Sequence, residues 1–306
     1  MRTDLHQHLW TPELVERLAG RRRLPLIDMA DDLAILHADG ERPYVIDPAA
    51  NSAERRLSWA DRDGVARIVI ALSSPIGIET LPRPEATALI EAHLDGVRAL
   101  PGRFTAWGPV ALDEWELEDV ERLLARGCVG ISLPAPALAG PVQLDAIGPL
   151  LERVARAGAP LFIHPGRAIN RWPKEAPLDE PVWWPALTDY VSQMQAAWLT
   201  FAAHGRRQHP DLIVVFAMLA GCGALQAERF AQRGGPPLPL RDPHTFYDTS
   251  GYGPQAIETV ARLVGPGQLV YGSDRPVVEP LPTGRESVLQ VQASDLLAGS
   301  AQVAFA

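Results

Sequence analysis

Histidine and aspartate at the ends of apolar segments are the side chains in this sequence best placed to do chemistry. Three runs carry them: Asp4-Leu5-His6-Gln7-His8, Phe162-Ile163-His164-Pro165 and Tyr271-Gly272-Ser273-Asp274. His6 and His8 are two residues apart, so on a strand both project from the same face. His164 and Asp274 end two further strand-like runs in the same manner. Three neutral imidazoles and one carboxylate make the ligand set that zinc, or another borderline divalent ion, prefers. Each residue alone has a plainer explanation. A lone strand-end histidine is usually a hydrogen-bonded structural residue, and Asp274 could cap a turn or pair with Arg275. Their arrival together points to one bound divalent metal, with zinc the expected ion and His6, His8, His164 and Asp274 its ligands.

The elements that would position them alternate along the chain. Apolar or β-branched runs at residues 3–9, 66–72, 104–110, 129–133, 160–164, 212–218, 245–248 and 269–272 read as strands. Helical patterns at 117–126, 144–157, 187–203 and 254–264 lie between several of them. Such strand–helix repetition implies parallel strands with right-handed crossovers. The number of units and a length of 306 residues fit a (β/α)8 TIM barrel occupying the whole chain as one domain, 1–306. No glycine-rich phosphate turn follows an early strand, which argues against a doubly wound sheet. Barrel interiors normally hold branched apolar residues, so paired interior histidines at a strand's carboxyl end need a reason. Between the first two barrel strands, Ala38-Asp39-Gly40-Glu41 separates apolar runs at 33–37 and 42–46, predicting a small inserted β-hairpin. The stretch 166–184, rich in Pro, Arg and Trp, reads as a long loop over the catalytic face.

Composition excludes several classes. A net charge of −9 argues against nucleic acid or an anionic membrane surface as partner. Two cysteines, Cys128 and Cys222, are too few for a disulfide framework. No apolar run reaches membrane-spanning length, and the first residues lack signal-peptide regions, so a cytoplasmic location is expected.

These motifs resemble the amidohydrolase superfamily, in particular the branch that includes aminocarboxymuconate-semialdehyde decarboxylase and the resorcylate decarboxylases. The likeness runs from Asp4-Leu5-His6-Gln7-His8 through Pro101-Gly102-Arg103-Phe104 and His209-Pro210-Asp211-Leu212 to Gly272-Ser273-Asp274. It implies a barrel with a mononuclear metal on His6, His8, His164 and Asp274. Binuclear members bridge two ions with a lysine on the fourth barrel strand. Here that strand reads Val129-Gly130-Ile131-Ser132-Leu133-Pro134, and the chain's one lysine is Lys174. The resemblance also implies a homodimer, to which no residue pattern points.

One departure matters. Similar proteins end the sixth barrel strand in an Ala-His-Gly-Gly type motif, where this chain has Ala217-Met218-Leu219-Ala220-Gly221. A thioether cannot carry a proton. His204, His209 and His244 belong to the opposite end of the barrel and His93 to an early helix, so only His37 in the hairpin is placed to approach the mouth. Cys222 reads as a small buried thiol rather than a nucleophile. Arg229, on the helix after the sixth strand, and Arg167 and Trp172, in the long loop, are the expected substrate-binding residues together with Met218. Guanidinium forks suit carboxylates and aromatic walls suit planar rings. The leading expectation is therefore a metal-dependent hydrolase of a small carboxylate-bearing, ring-like molecule, using a metal-activated water with Asp274 as base. The alternatives are a non-oxidative decarboxylase and, because of Met218, a catalytically inactive ligand-binding barrel.

Overall fold

The computed structural model describes residues 1–31, 33–167, 181 and 183–303. In chain order its strands are β1 (Thr3–Gln7), β2 (Leu26–Ala30), β3 (Leu33–His37), β4 (Tyr44–Ile46), β5 (Arg67–Ile70), β6 (Phe104–Ala106), β7 (Gly108–Pro109), β8 (Ile131–Pro134), β9 (Leu161–His164), β10 (Val214–Phe216), β11 (Thr245–Asp248) and β12 (Leu269–Val270). β1 pairs in parallel with β5, and β5 with β6. After a one-residue break at Trp107, β7 continues into β8, β9, β10, β11 and β12, every pair parallel. β6 and β7 are thus two halves of one stave.

The ring closes between the last strand and the first. The Leu5 N–H donates to the Tyr271 carbonyl at 3.1 Å, the Asp274 N–H donates to the His6 carbonyl at 2.8 Å, and Gln7 bridges to Arg275. The result is the expected (β/α)8 barrel. Register decides what lies inside. Ser132 and Val215 both align with Phe162, and Pro134 aligns with His164, so Phe162 and His164 share the interior face. Phe162 stacks on Trp107 with ring centroids 5.0 Å apart, filling the barrel beneath the histidines. Buried Ile68, Ile70, Leu133, Leu161, Ile163 and Val214 complete a dry wall around that plug.

Helices Pro12–Ala19, Ala53–Asp63, Arg83–Ala99, Glu118–Ala125, Pro141–Arg156, Asp189–Thr200, Pro254–Val264 and Glu286–Val303 cover the outside. Several begin with proline in the first turn, where its missing N–H costs nothing. The predicted hairpin is present as β3 and β4, with one strand more: β2 pairs antiparallel with β3, from Leu26 opposite His37 to Ala30 opposite Leu33. Asp31 turns the chain there at φ +54, a conformation that Asp tolerates. Most of the long loop lies outside the described residues, Asn170, Arg171, Trp172 and Lys174 included. Among the described residues no helix is long and apolar enough to cross a membrane.

Candidate metal centre

β1 delivers His6 and, one residue past its end, His8; β9 delivers His164, and the turn after β12 delivers Asp274. One ligand atom from each lies within 4.8 Å of every other. The three imidazoles form a triangle, ring centroids 4.9–5.0 Å apart and planes nearly perpendicular. Their outer nitrogens are all engaged. His6 Nδ1 lies 2.7 Å from Asp248 Oδ2, His8 Nδ1 2.9 Å from the Ala71 carbonyl, and His164 Nδ1 2.8 Å from the Pro165 carbonyl. Each partner is an acceptor, so each Nδ1 carries a proton, and in the neutral ring each Nε2 presents a lone pair to the junction. His6 Nε2 and His8 Nε2 stand 3.2 Å apart, and Asp274 Oδ1 is 3.2 Å from His8 Nε2 and 3.5 Å from His6 Nε2. Converging lone pairs and a carboxylate repel one another unless something positive sits between them. The donor set fits one divalent cation.

Electrostatics set His6 and His164 apart. Burial alone would push the His6 imidazole down, but the Asp248 carboxylate beside it, with Asp274 and Asp4 adding, raises it to about 9. His164 is pushed well below the usual imidazole range, by burial first and then by His6 and His8. It is held neutral, the form a metal ligand would need.

Asp248 has no place in the sequence-based site, yet it is fully buried and its oxygens accept from His6 Nδ1, the Met218 N–H at 3.0 Å, the Ser250 N–H at 2.9 Å and the Ser250 hydroxyl. Its signal was the one that found Asp274, a carboxylate ending an apolar strand. Arg56 was also missed. Buried beneath β1, it donates to Gln7 Oε1 at 3.0 Å and to the His8 carbonyl at 2.6 Å, tying down the strand end.

Met218 is half-buried and opens a left-handed turn. Its φ is +53, followed by +49 at Leu219, +56 at Ala220, +58 at Gly221 and +59 at Cys222. Side chains at such angles cost about 1–2 kcal/mol per residue, and strain of this kind persists only where surrounding contacts enforce it. Helix Asp189–Thr200 supplies one of these, Gln195 Nε2 donating to the Gly221 carbonyl at 2.8 Å.

The other expected residues are more scattered. Arg167 pairs with Asp39 from the β3–β4 turn, so the ribbon reaches the loop that follows His164. Arg229 is exposed on helix Ala227–Gln232, with no carboxylate partner among the described residues. Trp172 lies outside the described residues. Cys222 is a free, half-buried thiol whose pKa burial raises, consistent with an inert role.

Two histidine placements need correction. His37 pairs with Asp28 across the ribbon at 3.2 Å rather than approaching the ligands. His93, expected to be remote, instead lies in a small cleft beside His8, Leu9 and Ala71. Helix Arg83–Ala99 packs its buried face against this strand end, and burial pushes His93 down to about 4.

Glu79, in the turn after β5, is buried with the Ser74 hydroxyl on one oxygen and no partner on the other. Burial raises its pKa to about 7. A folded-state value above the unfolded one makes stability fall as pH rises from about 4.5 towards 7. Glu79→Gln is therefore expected to stabilise the protein at pH 8, by on the order of 3 kcal/mol, and to leave it unchanged at pH 4. Denaturant melts at the two pH values check this, and an equal effect at both would contradict it.

The family model described as Amidohydrolase matches residues 3–303. The chain belongs to the amidohydrolase family. Solved structures share this family barrel nearly end to end. IDCase from Metarhizium anisopliae, in apo form, is 19% identical over 99% of this chain and 91% of that chain, with a TM-score of 0.74. The 2,6-dihydroxybenzoate decarboxylase from Rhizobium is 17% identical over 97% and 98%, at 0.65. The 5-carboxyvanillate decarboxylase from Novosphingobium aromaticivorans, complexed with manganese and 4-hydroxy-3-methoxy-5-nitrobenzoic acid, is 16% identical over 97% and 96%, at 0.68. Comparison with curated proteins finds no match.

Proposed function

We propose that this amidohydrolase-family barrel, acting as one unit over residues 1–306, is a metal-dependent non-oxidative decarboxylase of small hydroxylated aromatic carboxylates. The observation that carries the reading is Asp274. It is the carboxyl at the histidine junction that still meets solvent, its side chain 16% exposed, while the Asp4 and Asp248 residues are fully buried and internally bonded. Likeness to the 2,6-dihydroxybenzoate and 5-carboxyvanillate decarboxylases supports the substrate class, and the manganese of the latter supports a divalent ion. These proteins favour carbon–carbon cleavage over the hydrolysis that the sequence first suggested.

His6, His8, His164 and Asp274 would hold the ion. When bound, it supplies a Lewis acid that anchors and polarises substrate oxygens. Zinc and manganese both suit the donor set. The Asp274 carboxylate takes the proton of the substrate's hydroxyl group, leaving a phenolate, and delivers it to the ring carbon that bears the carboxylate. The electron pair of the broken C–C bond is released into the ring and ends as the new C–H bond, and carbon dioxide leaves. Phe162 and Trp107 keep the floor beneath His6 dry. Arg167 exchanges Asp39 for a substrate carboxylate, Trp172 and Arg229 contribute to binding, and Met218 is a wall that takes no proton.

Met218 favours a second reading, a barrel that binds such ligands without turning them over. One assay decides: incubation of the metal-loaded protein with 2,6-dihydroxybenzoate and 5-carboxyvanillate, following carbon dioxide and the decarboxylated phenol. Release of both supports the decarboxylase. Binding without release supports the inactive barrel, and cleavage of an amide or lactone instead would return hydrolysis to first place.

A further inference from the structure

We infer that Asp248 is a positioning residue for the metal centre, and that the left-handed turn from Met218 to Cys222 acts on the centre through it. The inference rests on the metal reading above. The three histidines are not oriented alike. His8 and His164 hand their Nδ1 protons to backbone carbonyls, whereas His6 alone has a carboxylate, Asp248 Oδ2 at 2.7 Å. A carboxylate at that position fixes the Nδ1–H tautomer more firmly than a carbonyl and makes Nε2 the better donor.

Among the described residues, Asp248 is held without any arginine or lysine. Its second oxygen takes the Met218 N–H at 3.0 Å, the Ser250 N–H at 2.9 Å and the Ser250 hydroxyl. A fully buried carboxylate with no cationic side chain but a histidine is costly unless positive charge lies near. An ion held by the four ligands, on the far side of the His6 ring, would supply such charge. Met218 thus serves the site by its main chain. With φ at +53, its N–H turns towards Asp248, and the left-handed residues after it keep it there, clamped from helix Asp189–Thr200 by Gln195. The segment whose side chain cannot move a proton still helps to build the ligand set.

The test is metal affinity of the stripped, folded protein, with zinc or manganese titrated against a chromophoric chelator. Asp248→Ala and Asp248→Asn are expected to weaken binding by about 10- to 100-fold, and Ser250→Ala by less, because two N–H donors remain. ¹⁵N spectra of the stripped protein, recorded at a pH above 9 where the His6 ring is neutral, should show His6 in the Nδ1–H form in wild type and mixed forms in the Asp248 variants, a change that a merely structural role would not produce. Should Asp248→Ala fail to fold, the near-isosteric Asp248→Asn carries the test. Unchanged affinity in the folded variants, or weakened affinity with the His6 tautomer intact, overturns the assignment. A wild type that binds the ion without releasing carbon dioxide overturns the decarboxylase reading and leaves this one standing. A wild type that binds neither ion overturns both.

Discussion

Asp274→Asn is expected to reduce turnover of a hydroxylated aromatic carboxylate by about 10²–10⁴-fold, the range for losing a positioned proton donor. The amide has the same shape and keeps one oxygen facing His6 and His8, so the junction survives. What it loses is the ability to give a proton to carbon. With Met218 unable to substitute, and the Asp4 and Asp248 residues sealed at 0% exposure, no other carboxyl at the junction can replace it. The loss should appear in kcat with little change in KM, because the missing interaction belongs to the transition state. Metal content measured on the same preparation separates a lost proton from a lost ion. Full activity in a metal-replete variant would remove Asp274 from its role.

The second large effect concerns the ion itself. A ligand that binds only the folded chain adds about 2.7 kcal/mol at a concentration 100-fold above its Kd. For a chain of 306 residues that corresponds to roughly 4 °C in Tm. Chelator treatment of wild type should produce a fall of this size. His164→Ala should melt alike with and without chelator, having lost the imidazole that burial keeps neutral for coordination. A wild type whose melting ignores both chelator and added metal would contradict the donor-set reading.

Some of this was legible in the residues and some was not, for identifiable reasons. His6 and His8 declare themselves because a strand's period of two puts both on one face, and the barrel allows that face to be only the interior. Asp274 follows from the same strand-end logic. Asp248 obeyed that logic too, but Asp-Thr-Ser-Gly reads equally well as a turn, and its partner His6 is 242 positions away. Strand β2 was hidden because Asp28 interrupts its apolar residues and Asp31 turns the chain without glycine. The left-handed turn was hidden more deeply, since Leu219, Ala220 and Cys222 are residues that sequence reasoning assigns to right-handed backbone. Helical periodicity gave His93 a face but not the strand that face would cover. Packing against His8 and Ala71 is a tertiary fact.

Anomalous diffraction from crystals grown with manganese or zinc bears most directly on the centre. The arrangement predicts a single peak about 2.0–2.2 Å from Nε2 of His6, His8 and His164 and from an Asp274 oxygen. No peak at that junction in metal-replete crystals, or two peaks sharing the ligands, would mean that these four side chains do not build a mononuclear site.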